Sequence, residues 1–171
     1  NQRDAHLLGV LAEPPERAVV YANERGDAGR IVALIRQERG LDALDITNLR
    51  AREFAHALRR FREGGLRVLV ATDALEPRED WPEIALSVSA GLPESPEGLC
   101  RRLHTATAPG ARSVIIHPPA AEEQGRLERA ALRVGPDTGH LLALQAATAD
   151  GEKLSYHELS RRTGLQPNDL S

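Results

Sequence analysis

The sequence is poor in several residue types at once, and each shortage excludes something. Of 171 residues one is cysteine, Cys100, which rules out an internal disulfide and any multi-cysteine zinc or iron–sulfur site. Aromatic residues make up only 3%, so a core has to be assembled from Leu, Val, Ile and Ala. Lys153 is the sole lysine and methionine is absent; the missing initiator points to an excised fragment of a longer protein. No apolar run approaches the roughly 18 residues of a membrane span, and no signal-peptide pattern opens the chain, so a soluble, cytoplasmic protein is expected. Neither charge dominates: 22 Lys+Arg stand against 25 Asp+Glu, net -3. A chain that coats nucleic acid by bulk charge is thereby excluded, while a local basic face is not.

What is present is a foldable chain, 41% hydrophobic. The first two-thirds alternates β-branched runs with longer helical patterns, the sign of a parallel sheet flanked by helices. Strands are predicted at 18–22, 44–47, 66–71, 84–90 and 113–117. Helices are predicted at 27–38, where Ile31, Leu34 and Ile35 recur at helical spacing, at 51–62, and at 96–105. In the second of these Phe54, Leu58 and Phe61 form one face, and Gly64-Gly65 ends it. Beyond Pro118-Pro119 the strands are expected to stop. Helices are predicted at 121–134 and 138–147, and Ser155 with Glu158 forms a capping box opening a further helix that ends at Gly164. Three units follow: a lead-in helix at 1–13, an α/β domain at 14–119, and a helical, winged-helix-like tail at 120–171.

Three anchor points carry a resemblance. Arg17 to Asn23 (RAVVYAN) is similar to the first strand and following loop of the second RecA-like lobe of superfamily-two helicases, the DEAD-box type included. Phe61 to Asp73 (FREGGLRVLVATD) resembles that family's helix-to-strand passage ending in Ala-Thr-Asp. The segment 99–110 falls where the family carries His-Arg-x-Gly-Arg-x-x-Arg. The resemblance covers about 100 residues and implies a three-layer α/β fold. In working helicases two arginines of the last motif stabilise charge on the ATP phosphates. Here Thr105 and Ala108 occupy their positions. The run Ala74-Leu75-Glu76-Pro77-Arg78-Glu79-Asp80-Trp81-Pro82 also departs from the family, and no Walker lysine motif is present. The resemblance therefore implies a kept scaffold without the groups that hydrolyse ATP, and no catalytic residue in this chain.

That profile is similar to the C-terminal domain of RecJ-type single-stranded-DNA exonucleases, and Asn1-Gln2-Arg3-Asp4 resembles the segment that leads into it. This second resemblance implies an accessory domain in DNA repair and recombination, attached to a 5′–3′ exonuclease. Its partners would be the acidic, Phe-ended tail of single-stranded-DNA-binding protein, other repair proteins and the parent's catalytic core. The parent's Mn²⁺ or Mg²⁺, held by Asp and His ligands, would lie outside this chain, with no cofactor or metal inside it. The alternative is the C-terminal motor lobe of a divergent ATP-dependent DEAD-box-like helicase, in which Asp73 would matter to ATP turnover. A spacer without a ligand is a third reading.

Candidate binding residues each have a plainer explanation beside them. Segment 50–63 carries Arg50, Arg52, Arg59, Arg60 and Arg62 against two glutamates. It reads first as a solvated helix exterior and second as a seat for phosphates or an acidic peptide, with Phe54 and Phe61 on the buried side. Arg101 and Arg102, with His104 nearby, are a relic of ancestry or a residual anion site. Trp81 pins its loop to the sheet edge, or else anchors a partner. Arg161 and Arg162 complement a helix C-terminal dipole, or else touch DNA phosphates. His140 and His157 have no neighbours at metal-ligand spacing. Cys100 reads as a small packed hydrophobe.

Overall fold

A computed structural model describes residues 2–75, 80–116, 144–145 and 153–154. Five parallel strands form its centre, β1 (Ala18–Tyr21), β2 (Ala43–Asp45), β3 (Val68–Ala71), β4 (Leu86–Ser89) and β5 (Arg112–Ile115). They lie in the order β2-β3-β1-β4-β5. β1 pairs with β3 in the register Val19↔Leu69 and with β4 in the register Val19↔Ser87. The three inner strands are buried along their whole length. A central parallel strand is covered on both faces, so it reads as an unbroken apolar run, and 18–21 and 68–71 both do.

Helices fill the two faces. Helix α1 (Gln2–Val10) and helix α2 (Arg25–Arg39) cover one, where Leu7, Leu11, Ile31 and Ile35 pack on Ala18, Val20, Val70 and Val88. Helix α3 (Ala51–Glu63) covers the other, putting Leu58 and Phe61 against Val19, Tyr21, Leu69 and Ile84. Helix α4 (Pro96–Leu103) lies on that second face near β4 and β5. The alternation along β1 thus decides which helix each side chain meets. Gly64, at φ 83°, stops α3 in the left-handed region, where glycine carries no Cβ penalty.

Strands do not end at Pro118-Pro119, as the sequence pattern suggests. Leu144–Gln145 (β6) pairs antiparallel with Lys153–Leu154 (β7), so residues 144–145 are strand and not the end of a helix over 138–147. Pairs this short carry too few residues for a period of 2 to show against a period of 3.6. The predicted winged-helix-like tail, with Arg161, Arg162, His140 and His157, otherwise lies outside the described residues. Among the described residues no helix is long and apolar enough to cross a membrane.

Candidate functional site

The three sequence anchors meet at the carboxyl ends of β1, β3 and β4, the edge at which open α/β sheets present ligands. Their meeting point is Arg102 on α4, whose side chain is 1% exposed. Its Nε donates to Asp73 Oδ1 and its Nη2 to Asp73 Oδ2, both at 2.7 Å. Nη1 donates to Ser89 Oγ at 2.7 Å, Asn23 Oδ1 at 3.0 Å and the Gly91 carbonyl at 3.3 Å. The guanidinium also lies 5.5 Å from the centre of the Tyr21 ring. A buried charge is tolerated only when it is paired and its donors are met, and these acceptors satisfy both conditions.

The backbone is shaped for this latch. Gly91 sits at φ 140°, and a Cβ there would come within 2.9 Å of the Asn23 amide. That amide in turn donates to the Leu92 carbonyl at 2.8 Å, fixing the loop after β1 against the loop after β4. At the start of α4, Ser95 caps the helix by accepting from the Gly98 N–H at 3.0 Å. At its far end, Ser87 donates to the Arg102 carbonyl at 2.6 Å and Ser113 to the Leu103 carbonyl at 2.8 Å. Two sheet hydroxyls thus bond carbonyls of the last helical turn, the Arg102 carbonyl accepting also from the Thr105 N–H at 3.4 Å.

Beside the latch, Thr105 is buried and its Oγ1 donates to the Arg101 carbonyl at 3.0 Å. With that proton committed, the 2.7 Å contact between Tyr21 and Thr105 has the phenol as donor. Burial raises the Tyr21 pKa above its ordinary value, outweighing the lowering by the Thr105 hydrogen bond and the Arg102 charge. Arg101 Nη1 donates to the Asp73 carbonyl at 3.0 Å. Next to this end of the sheet lies a cavity of about 740 Å³, lined in part by Arg25, Thr47, Ala51 and Thr72. The first turn of α3 opens there, with Glu53 accepting from the Arg50 N–H at 2.8 Å.

The singled-out residues fall into separate places. Arg102 is inside the latch, so its donors are spent within the fold. Arg52, Arg59 and Arg62 are exposed on α3 and Arg50 at its N-cap, Arg60 is half-buried, and Arg62 Nη2 donates to the Asp80 carbonyl at 2.7 Å. Trp81 is half-buried, with its ring 6.2 Å from that of Phe54 and its indole Nε1 buried without a hydrogen-bond partner. Cys100 is a partly buried free thiol. No group of His, Cys, Asp or Glu suited to a metal ion occurs among the described residues. Sequence reasoning passed over Ser87, Ser89 and Ser113. Their signal was a polar residue at alternate positions of strands otherwise read as apolar.

No family model matches the chain. It is 29% identical over 102 residues to the ATP-dependent RNA helicase dbp8 of Schizosaccharomyces pombe, covering 57% of this chain and 22% of that protein. It is 26% identical over 142 residues to DBP8 of Yarrowia lipolytica, covering 78% of this chain and 31% of that one. The chain therefore spans under a third of the length of these relatives. Among solved structures, the C-terminal domain of the DEAD-box protein Dbp5 superposes with a TM-score of 0.68 at 16% identity, over 96% of this chain and 91% of that one. The E. coli DEAD-box protein SrmB, bound to regulator of ribonuclease activity A, gives 0.65 at 19% identity, over 86% and 84%. The fold is that of a RecA-like helicase second lobe.

These likenesses correct the exonuclease reading. The relatives are RNA helicases, so the RecJ-type assignment falls, and with it the roles in DNA repair and recombination. The tail of single-stranded-DNA-binding protein, the repair proteins and an exonuclease core fall as partners for the same reason. The physical error was to let Thr105 and Ala108, read as standing in for two arginines, decide the family. Replacing two side chains alters the chemistry of a site and leaves the surrounding scaffold sequence legible.

Proposed function

We propose that the chain is the second lobe of a DEAD-box-type RNA helicase relative, closing with a nucleotide-carrying first lobe on single-stranded RNA. The observation that carries this reading is the Asp73–Arg102 latch. It ties the Ala-Thr-Asp strand end to the degenerate arginine motif on the side of the sheet where such a lobe would face its partner. Similarity to Dbp8 supports RNA as the substrate class. The adjoining 740 Å³ cavity suits a sugar–phosphate backbone, since Arg25 offers charge and Thr72 a hydroxyl beside the α3 N-terminus. ATP would be held mainly by the first lobe, because Thr105 and Ala108 bring no charge to its phosphates. A cytoplasmic location belongs to this proposal as well.

The test is the affinity of the full-length protein for labelled single-stranded RNA, with and without a non-hydrolysable ATP analogue. Affinity should rise at least about tenfold with the nucleotide, about 1.4 kcal/mol of coupling. Arg25→Ala with Thr72→Ala should weaken the nucleotide-bound complex. RNA affinity indifferent to nucleotide would overturn the proposal.

A further inference from the structure

A second concavity, of about 490 Å³, lies between β2 and α3. Its floor is apolar, made by Leu44, Leu49 and Ala57, of which the two leucines are only half-buried. Its rim carries two arginines and a histidine. Arg52, His56 and Arg60 follow one another at intervals of four along α3 and so share one face of the helix. Neither the Arg52 guanidinium nor the His56 imidazole has a hydrogen bond or ion pair among the described residues. Arg60 has one long contact, Nη2 to the Gly65 carbonyl at 3.3 Å. Glu53, the groove's carboxylate, is engaged by the Arg50 N–H and caps the helix.

Unpaired arginines over an apolar floor, in a chain of net charge -3, call for an occupant that is both acidic and apolar. Strand addition to β2 is disfavoured, because Arg36 Nε already donates to the Ala43 carbonyl of that edge strand at 2.9 Å. A nucleic-acid strand is disfavoured too, since no Phe, Tyr or Trp lines the groove and the His56 imidazole is a single small ring for bases to stack on. We propose that this groove docks a short acidic segment of a partner protein. One bulky apolar side chain of the segment enters between Leu44 and Leu49, and its carboxylates lie opposite Arg52 and Arg60.

The probe is a fluorescein-labelled peptide with aspartates flanking a central Leu-Phe pair, titrated into the full-length protein and followed by anisotropy. Saturable binding is expected with a Kd on the order of 10–100 μM, weakening as salt rises. Arg52→Glu with Arg60→Glu should cost at least about tenfold, while Arg52→Lys with Arg60→Lys keeps most of the affinity because charge is kept. Thermal melting of each variant separates lost binding from lost fold, since Arg52 is exposed and Arg60 half-buried. Absence of saturation up to about 1 mM overturns the proposal. Equal binding of a control peptide with serines for the Leu-Phe pair overturns it too, by showing charge attraction alone. Displacement of the peptide by oligouridine, lost in the same Glu variants, would reassign the face to RNA.

Discussion

Arg102 and Asp73 meet in a bidentate ion pair, two bonds of 2.7 Å, in which the arginine is buried while the carboxylate keeps 35% of its side-chain surface in solvent. That asymmetry ranks the substitutions. Asp73→Asn leaves a buried guanidinium short of its counter-charge, a loss of about 3 kcal/mol once the partial exposure of Asp73 is allowed for. Arg102→Lys is no milder, because one ammonium cannot span acceptors on three separate loops. Urea unfolding should show both midpoints falling by similar amounts. An unchanged midpoint for Arg102→Lys would mean the fan of acceptors contributes nothing.

The buried serines of β4 and β5 give a second expectation. Ser87 and Ser113 donate to the Arg102 and Leu103 carbonyls, and each replacement by alanine leaves a buried carbonyl with one partner fewer. A loss of about 1–2 kcal/mol each is expected, read from chemical denaturation. Because both act on the end of α4, the double variant should depart from additivity. Strict additivity would show that the two hydroxyls do not hold one element in common.

Much of the scaffold was legible in the chain. Segment 68–71 is apolar throughout because it is covered on both faces, and α3 shows its buried side as Phe54, Leu58 and Phe61 three and four residues apart. The centre of the site was not legible. Beside a degenerate motif, Arg102 reads as a relic of ancestry or a residual anion site, and neither reading places its side chain inside the fold. Its burial depends on acceptors up to 79 residues away in the chain, and local pattern carries no record of such a meeting. The paired residues of β6 and β7 were missed for the opposite reason, too few residues to show any period. Thr105 and Ala108, taken as replacements for two arginines, led to the wrong family, because two side chains say little about the scaffold around them.

Alkaline pH should expose the Tyr21 contact. Burial holds the phenol's pKa above its ordinary value near 10, so the folded chain keeps this proton to higher pH than the unfolded chain does. The associated stability is complete below about pH 10 and is lost as pH rises through the raised folded value. Ionised tyrosine could no longer donate to Thr105. Tyr21→Phe should cost about 1 kcal/mol near neutrality and flatten the decline above about pH 10. Urea midpoints taken between about pH 8 and 11 would decide it, and equal slopes for both proteins would count against a buried donor.

The positions of Thr105 and Ala108 lead to the sharpest expectation about turnover. If the proposed lobe faces ATP across a cleft, neither residue stabilises charge developing on the phosphates, and missing arginines of this kind typically cost about 10³–10⁵ in rate. The two positions are not equally open to repair. Thr105 is 2% exposed and joined to Tyr21 and the Arg101 carbonyl, so Thr105→Arg breaks both bonds and overfills the site, at about 1–3 kcal/mol. Ala108 is half-buried in the segment between α4 and β5, so a longer side chain is less confined there than at Thr105. In the full-length protein, Ala108→Arg should therefore raise RNA-stimulated ATP hydrolysis at least about tenfold with little loss of stability, whereas Thr105→Arg lowers the melting temperature first. Fast hydrolysis by the unaltered protein, insensitive to Ala108→Arg, would mean that another cation already does this work.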